Sequence, residues 1–126
     1  MSGYDVLSPD DVVKQPGESI LYTFFFRWTD ANSVAHGLMN AGETIASVTG
    51  VTIQSKTPAG SDDCTIGTPA VNAVEFTEDG KTAAIGECVN VRISAGIDAT
   101  DYRLQCTVVT SDSNTRIMDG VLKVRD

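Results

Sequence analysis

Along this sequence side-chain polarity alternates every second residue, and no other feature limits the possible folds as strongly. A strand sends successive side chains to opposite faces, so an alternating run buries one face and wets the other. No window carries apolar i, i+3, i+4 spacing over several helical turns. Gly, Thr, Ser and Asp punctuate the chain about every ten residues, the rhythm of short strands in a sandwich or barrel.

The longest alternating run covers residues 20–29. It places Tyr22, Phe24, Phe26 and Trp28 on a core face and Leu21, Thr23, Phe25 and Arg27 on the other. Phe25 is then an apolar residue on the nominally wet side, either a partner contact or a residue covered by a neighbouring loop. Residues 30–42 form a polar connection holding the only histidine, His36. In the next strand, residues 44–54, Val48 shares a face with Val51 and Ile53 only if one extra residue intervenes, which predicts a bulge near Thr49-Gly50. Residues 55–69 read as a long loop. Glu78-Asp79-Gly80 between runs 71–77 and 81–85 is a hairpin turn, because glycine accepts positive φ without steric cost.

Val89, Val91 and Ile93 then alternate with Cys88, Asn90 and Arg92, and Tyr102, Leu104, Cys106 and Val108 point inward together. A turn at Ser111-Asp112-Ser113-Asn114 leads to a last strand with Met118, Leu122 and Val124 on one face. The segment Asp98-Ala99-Thr100-Asp101-Tyr102 has the form of a tyrosine corner, in which a tyrosine opening the penultimate strand turns its hydroxyl back onto upstream backbone. These features predict an all-β, immunoglobulin-like sandwich of about seven to nine antiparallel strands over residues 16–126. Residues 1–15 are expected to be an N-terminal arm or a loosely attached strand.

The 126 residues suit one domain with a sizeable core. A formal charge of -8, from 17 acidic and 9 basic side chains, leaves no basic face for nucleic acid or an acidic membrane surface. The start of the chain lacks a secretory pattern, and no stretch approaches the roughly 20 apolar residues of a membrane span, so cytoplasmic synthesis and folding are expected. The three cysteines, Cys64, Cys88 and Cys106, show neither a disulfide framework nor a zinc spacing, and reduced thiols are expected. His36 has no evident catalytic partner, and the doublets Asp10-Asp11, Asp62-Asp63 and Glu78-Asp79 fall in loops or the arm, where solvated charge is the default. Asp62, Asp63, Asp98 and Asp101 would serve calcium only if their loops met, and no calcium-loop spacing is present. No catalytic residue, metal or cofactor is therefore expected. Recognition by surface remains, through an edge strand or loop tips.

Several segments resemble the phage fiber–tail adaptor family, small immunoglobulin-like proteins of tailed bacteriophages. They are Ser8-Pro9-Asp10-Asp11-Val12-Val13, Tyr22-Thr23-Phe24 through Trp28-Thr29-Asp30, and Gly42-Glu43-Thr44-Ile45-Ala46-Ser47. Further on come Val91-Arg92-Ile93-Ser94-Ala95-Gly96, Tyr102-Arg103-Leu104-Gln105-Cys106-Thr107 and Leu122-Lys123-Val124-Arg125-Asp126. The resemblance implies a virion protein joining tail to fibers in symmetric copies, assembled in the host bacterial cytoplasm, with no catalytic residues. Its interface candidates are Tyr4, Val6 and Leu7 in the arm, with Phe25 and Arg27 on the first long strand. Two alternatives stay open, a capsid decoration (cement) protein of the same fold and a carbohydrate-binding or adhesion module.

Overall fold

The structure is a computed structural model that describes residues 12–126. The alternating pattern becomes twelve strands, with no helix among the described residues. The first six are β1 (Val12–Lys14), β2 (Ile20–Phe25), β3 (Arg27–Thr29), β4 (Ala35–Gly37), β5 (Ile45–Thr57) and β6 (Cys64–Ile66). The rest are β7 (Ala70–Val71), β8 (Phe76–Glu78), β9 (Lys81–Ala83), β10 (Cys88–Ala95), β11 (Thr100–Thr110) and β12 (Thr115–Val124). One sheet has the order β1-β12-β11-β5, and a second has β2-β10-β6 with β7 also on β10. Their inner faces share one core, built from Tyr22, Phe24, Phe26, Val89, Val91 and Ile93 against Tyr102, Leu104, Cys106, Val108, Met118, Leu122 and Val124. This is the β-sandwich that the period of two demands.

Two features depart from an antiparallel sandwich of seven to nine strands. β1 pairs with β12 in parallel, Val12 against Leu122 and Lys14 against Val124. β1 leads across the sandwich into β2 rather than into a hairpin, so no tight turn imposes antiparallel pairing on it. The second departure is a small third sheet, β4-β3-β9-β8, that was not expected.

The third sheet exists because the run 20–29 breaks at Phe26. The amides of Phe26 and Arg27 both donate to the Glu87 carbonyl, at 3.0 and 3.2 Å, so two residues oppose one. The Phe26 carbonyl in turn accepts from Leu38 and Met39 at 2.8 and 3.2 Å. Gly37 packs so closely there that a Cβ would collide with the Phe26 carbonyl. Beyond this bulge the alternation of faces restarts. Trp28, expected in the main core, instead lies half-buried in the third sheet. Phe25, expected on the wet side, is 4% exposed and packs with Ala83 and Cys88 beneath Trp28 and Phe76.

Of the other local expectations, the hairpin turn and the bulge hold and the long loop is cut short. Asp79 and Gly80 take φ of 52° and 77°, and Glu78 pairs with Lys81 across a two-residue turn. The β5–β11 register slips between Gly50 and Val48, leaving Thr49 as the extra residue. Further slips leave Gln54 and Ala46 unpaired. The loop expected over 55–69 is shorter, because β5 runs on to Thr57 and Cys64–Ile66 pairs with Ile93–Ala95 as β6, burying Cys64.

Candidate interaction surface

The connections gather at the two ends of the sandwich, and buried polar side chains tie each end. At the first end lie the loops before β5, before β8, before β10 and between β11 and β12. Glu43 is buried there and accepts four hydrogen bonds: from the Thr110 hydroxyl, the Asn40 amide at 2.9 Å, Asn114 Nδ2 at 2.9 Å and Arg116 Nη2 at 3.1 Å. The Thr110 hydroxyl chiefly, then the Asn40 amide, and with smaller help Asn114 and Arg116, outweigh burial and hold the Glu43 carboxyl at about 2. Thr44 and Ser111 exchange two further bonds, and the Ile45 amide donates to the Gly86 carbonyl at 2.8 Å.

Asn72 continues this network into the neighbouring loops. Its Nδ2 donates to the carbonyls of Val74 and Ala84, at 2.9 and 2.8 Å. Its Oδ1 accepts from the amides of Gly86, Glu87 and Cys88, each at 3.1 Å. The buried Asn72 amide thus ties the two loops together, beside the backbone bond from the Gly86 amide to the Asn72 carbonyl at 3.1 Å. Both loops carry an exposed apolar side chain, Val74 at 70% and Ile85 at 63%.

At the opposite end Tyr102 does the tying. Its hydroxyl donates to the Asp62 carbonyl at 2.7 Å and accepts from the Ile97 amide at 3.0 Å, as the tyrosine-corner pattern predicts. The acidic side chains of these loops do not converge on a common point. Asp63 pairs with Lys56 at 2.8 Å, Asp101 with Arg125 at 2.6 Å, and Asp98 accepts from the Asp126 amide at 2.8 Å. No three His, Cys, Asp or Glu side chains gather for a metal ion among the described residues.

Of the expected interface residues, Tyr4, Val6 and Leu7 lie outside the described residues. Phe25 is 4% exposed and is covered by residues of the third sheet rather than by a loop. Arg27 is half-buried, donating to the Met39 carbonyl at 3.0 Å and lying 3.6 Å from Glu87. His36 is half-buried, stacked on Trp28 at 4.4 Å and 3.0 Å from Asp30. The histidine hydrogen bond, followed by the Val34 amide, lowers the Asp30 carboxyl below its usual range. All three cysteines are free and buried, and burial pushes Cys88 and Cys106 to about 12 and raises Cys64.

Sequence reasoning missed the roles of Glu43, Asn72, Val74 and Ile85. For Glu43 the only signal was an acid within a Gly42-Glu43-Thr44 turn; Asn72 gave none, because its partners lie up to 16 residues away.

Across residues 14–125 the sequence matches the family model described as podophage GP4 fiber-tail adaptor protein gp77. No curated protein and no solved structure matches the chain. An all-β sandwich whose match spans nearly its whole length, this chain belongs to the podophage GP4 fiber-tail adaptor family.

Proposed function

We propose that the chain is a non-enzymatic joint in a phage particle, present in symmetric copies, that binds a tail protein on one side and a fiber protein on the other. The family match over residues 14–125 carries this reading. The site geometry supports it, since Glu43, Asn72 and Tyr102 spend their polar atoms holding loops in place. Preorganised loop ends reduce the ordering cost of a protein contact. Specific contacts of this kind bury roughly 1,200 to 2,000 Å² in total. Tyr4, Val6 and Leu7, which precede β1 in the sequence, supply apolar side chains for one of them.

The acidic balance suits protein partners rather than nucleic acid or membrane. The working location is the virion, reached after synthesis and assembly in the host bacterial cytoplasm. No observation favours the cement-protein alternative. A sugar platform needs open aromatic faces, whereas Tyr22, Phe24, Phe25, Phe26 and Tyr102 are all buried. Immobilised chain should retain purified tail and fiber proteins at physiological salt; retention of neither would overturn the joint.

A further inference from the structure

We propose that Val74 and Ile85 form the apolar centre of a docking plate at the Glu43 end, occupied by a cationic, apolar surface of another virion protein. Only the choice of a virion protein rests on the adaptor reading; the surface chemistry comes from the structure.

The two side chains are among the most exposed large apolar groups of the described residues, at 70% and 63%. Single exposed apolar residues are ordinary. These two differ because the loops bearing them meet at one amide nitrogen, Asn72 Nδ2. Asn72 Oδ1 then takes the three amides that follow Ile85, so neither loop is free to fold its apolar side chain back onto the core. A fixed, water-facing apolar pair loses little conformational freedom when a partner covers it.

Charge selects the occupant. Exposed Glu75 follows Val74, and Glu78-Asp79 closes the hairpin that the same loop enters. The nearby cations are engaged within the molecule: Arg27 with Glu87 and the Met39 carbonyl, Lys81 over the rings of Phe25 and Trp28. The plate therefore presents apolar area with an acidic rim, complementary to Lys or Arg beside an apolar side chain. A twofold contact between copies would set this rim against itself, which disfavours a second copy as occupant.

A photo-crosslinking amino acid placed at position 85, and separately at exposed position 117 on β12, tests this in virions purified after infection. Position 85 should join one other virion protein, identified by mass spectrometry, at a segment containing Lys or Arg; position 117 should not join that segment. The double change Val74→Ser, Ile85→Ser should lower incorporation into particles about tenfold. Glu75→Lys should lower it as well, with unchanged thermal melting confirming that the variants fold. A crosslink only to another copy, no crosslink at 85, or wild-type incorporation of the double variant would each overturn the plate. A crosslink to a capsid protein would keep the plate and overturn the tail–fiber joint instead.

Discussion

At one end of the sandwich a buried carboxylate, Glu43, gathers four donors; at the other a buried phenol, Tyr102, joins two backbone segments. Both ties span long stretches of sequence, 67 residues from Glu43 to Thr110 and 40 from Tyr102 to Asp62. They differ in what they require. The Glu43 tie is complete only while the carboxyl is ionised and is weakened by protonation, since each partner donates to it. The Tyr102 tie exchanges hydrogen bonds with backbone groups and involves no carboxylate. Two solutions to one problem, closing the open end of a sandwich, thus carry different chemical liabilities. The acid-sensitive end is also the end that displays Val74 and Ile85.

Removing the charge at Glu43 should break the comparison most severely. Glu43→Gln keeps the shape but turns one acceptor oxygen into a donor, set either against Asn114 and Thr110 or against Arg116 and the Asn40 amide, and so strands buried groups. Its urea midpoint at pH 7 should fall further than that of Tyr102→Phe. The wild-type carboxyl titrates at about 2 in the folded chain against an ordinary 4.5. A lowered folded value means that this stabilisation is complete above 4.5 and disappears as pH falls from 4.5 toward 2. Wild type should therefore lose stability steeply in that window, and Glu43→Gln should show a shallower acid limb. If urea titrations showed wild type and Glu43→Gln losing the same stability between pH 7 and pH 3, the carboxylate would lose its assigned role.

Tyr102→Phe sharpens the same contrast with a smaller effect. The ring stays buried while the Asp62 carbonyl and the Ile97 amide lose their shared partner. The expected cost is about 1–2 kcal/mol, that of a lost buried hydrogen bond. Unlike the Glu43 effect, it should remain the same from pH 7 down to pH 3 in denaturant titrations.

The sequence disclosed these ends unequally, for a physical reason. Tyr102 stands in a strand whose alternation Tyr102, Leu104, Cys106, Val108 is strict, and all four are buried as the pattern requires. Local chemistry also announced the Asp79-Gly80 turn and the slip at Thr49. Glu43 and Asn72 could not be read, because a lone polar residue acquires its role only when distant donors converge on it. Where alternation was followed through a bulge it misled. Past Phe26 the backbone changes phase, so Trp28 left the core and Phe25 found cover from strands more than 50 residues later. Val74 and Ile85 read as strand residues, yet both fall in connections where no neighbouring strand covers them.

The buried thiols offer the finest probe of whether the two ends open independently. Cys64 lies at the Tyr102 end, two residues beyond the carbonyl that Tyr102 holds, and Cys88 lies at the Glu43 end, its amide held by Asn72. Burial raises both thiols, so neither reacts while its surroundings stay closed. Labelling under native conditions then reports local opening, and each 1.4 kcal/mol of local destabilisation changes the rate about tenfold. In Tyr102→Phe, Cys64 should label up to about tenfold faster than in wild type while the Cys88 rate stays unchanged. Site-resolved mass spectrometry after timed alkylation separates the two thiols. Equal acceleration at both sites would mean that the sandwich opens only as a whole, and the two ties would then be parts of one cooperative unit.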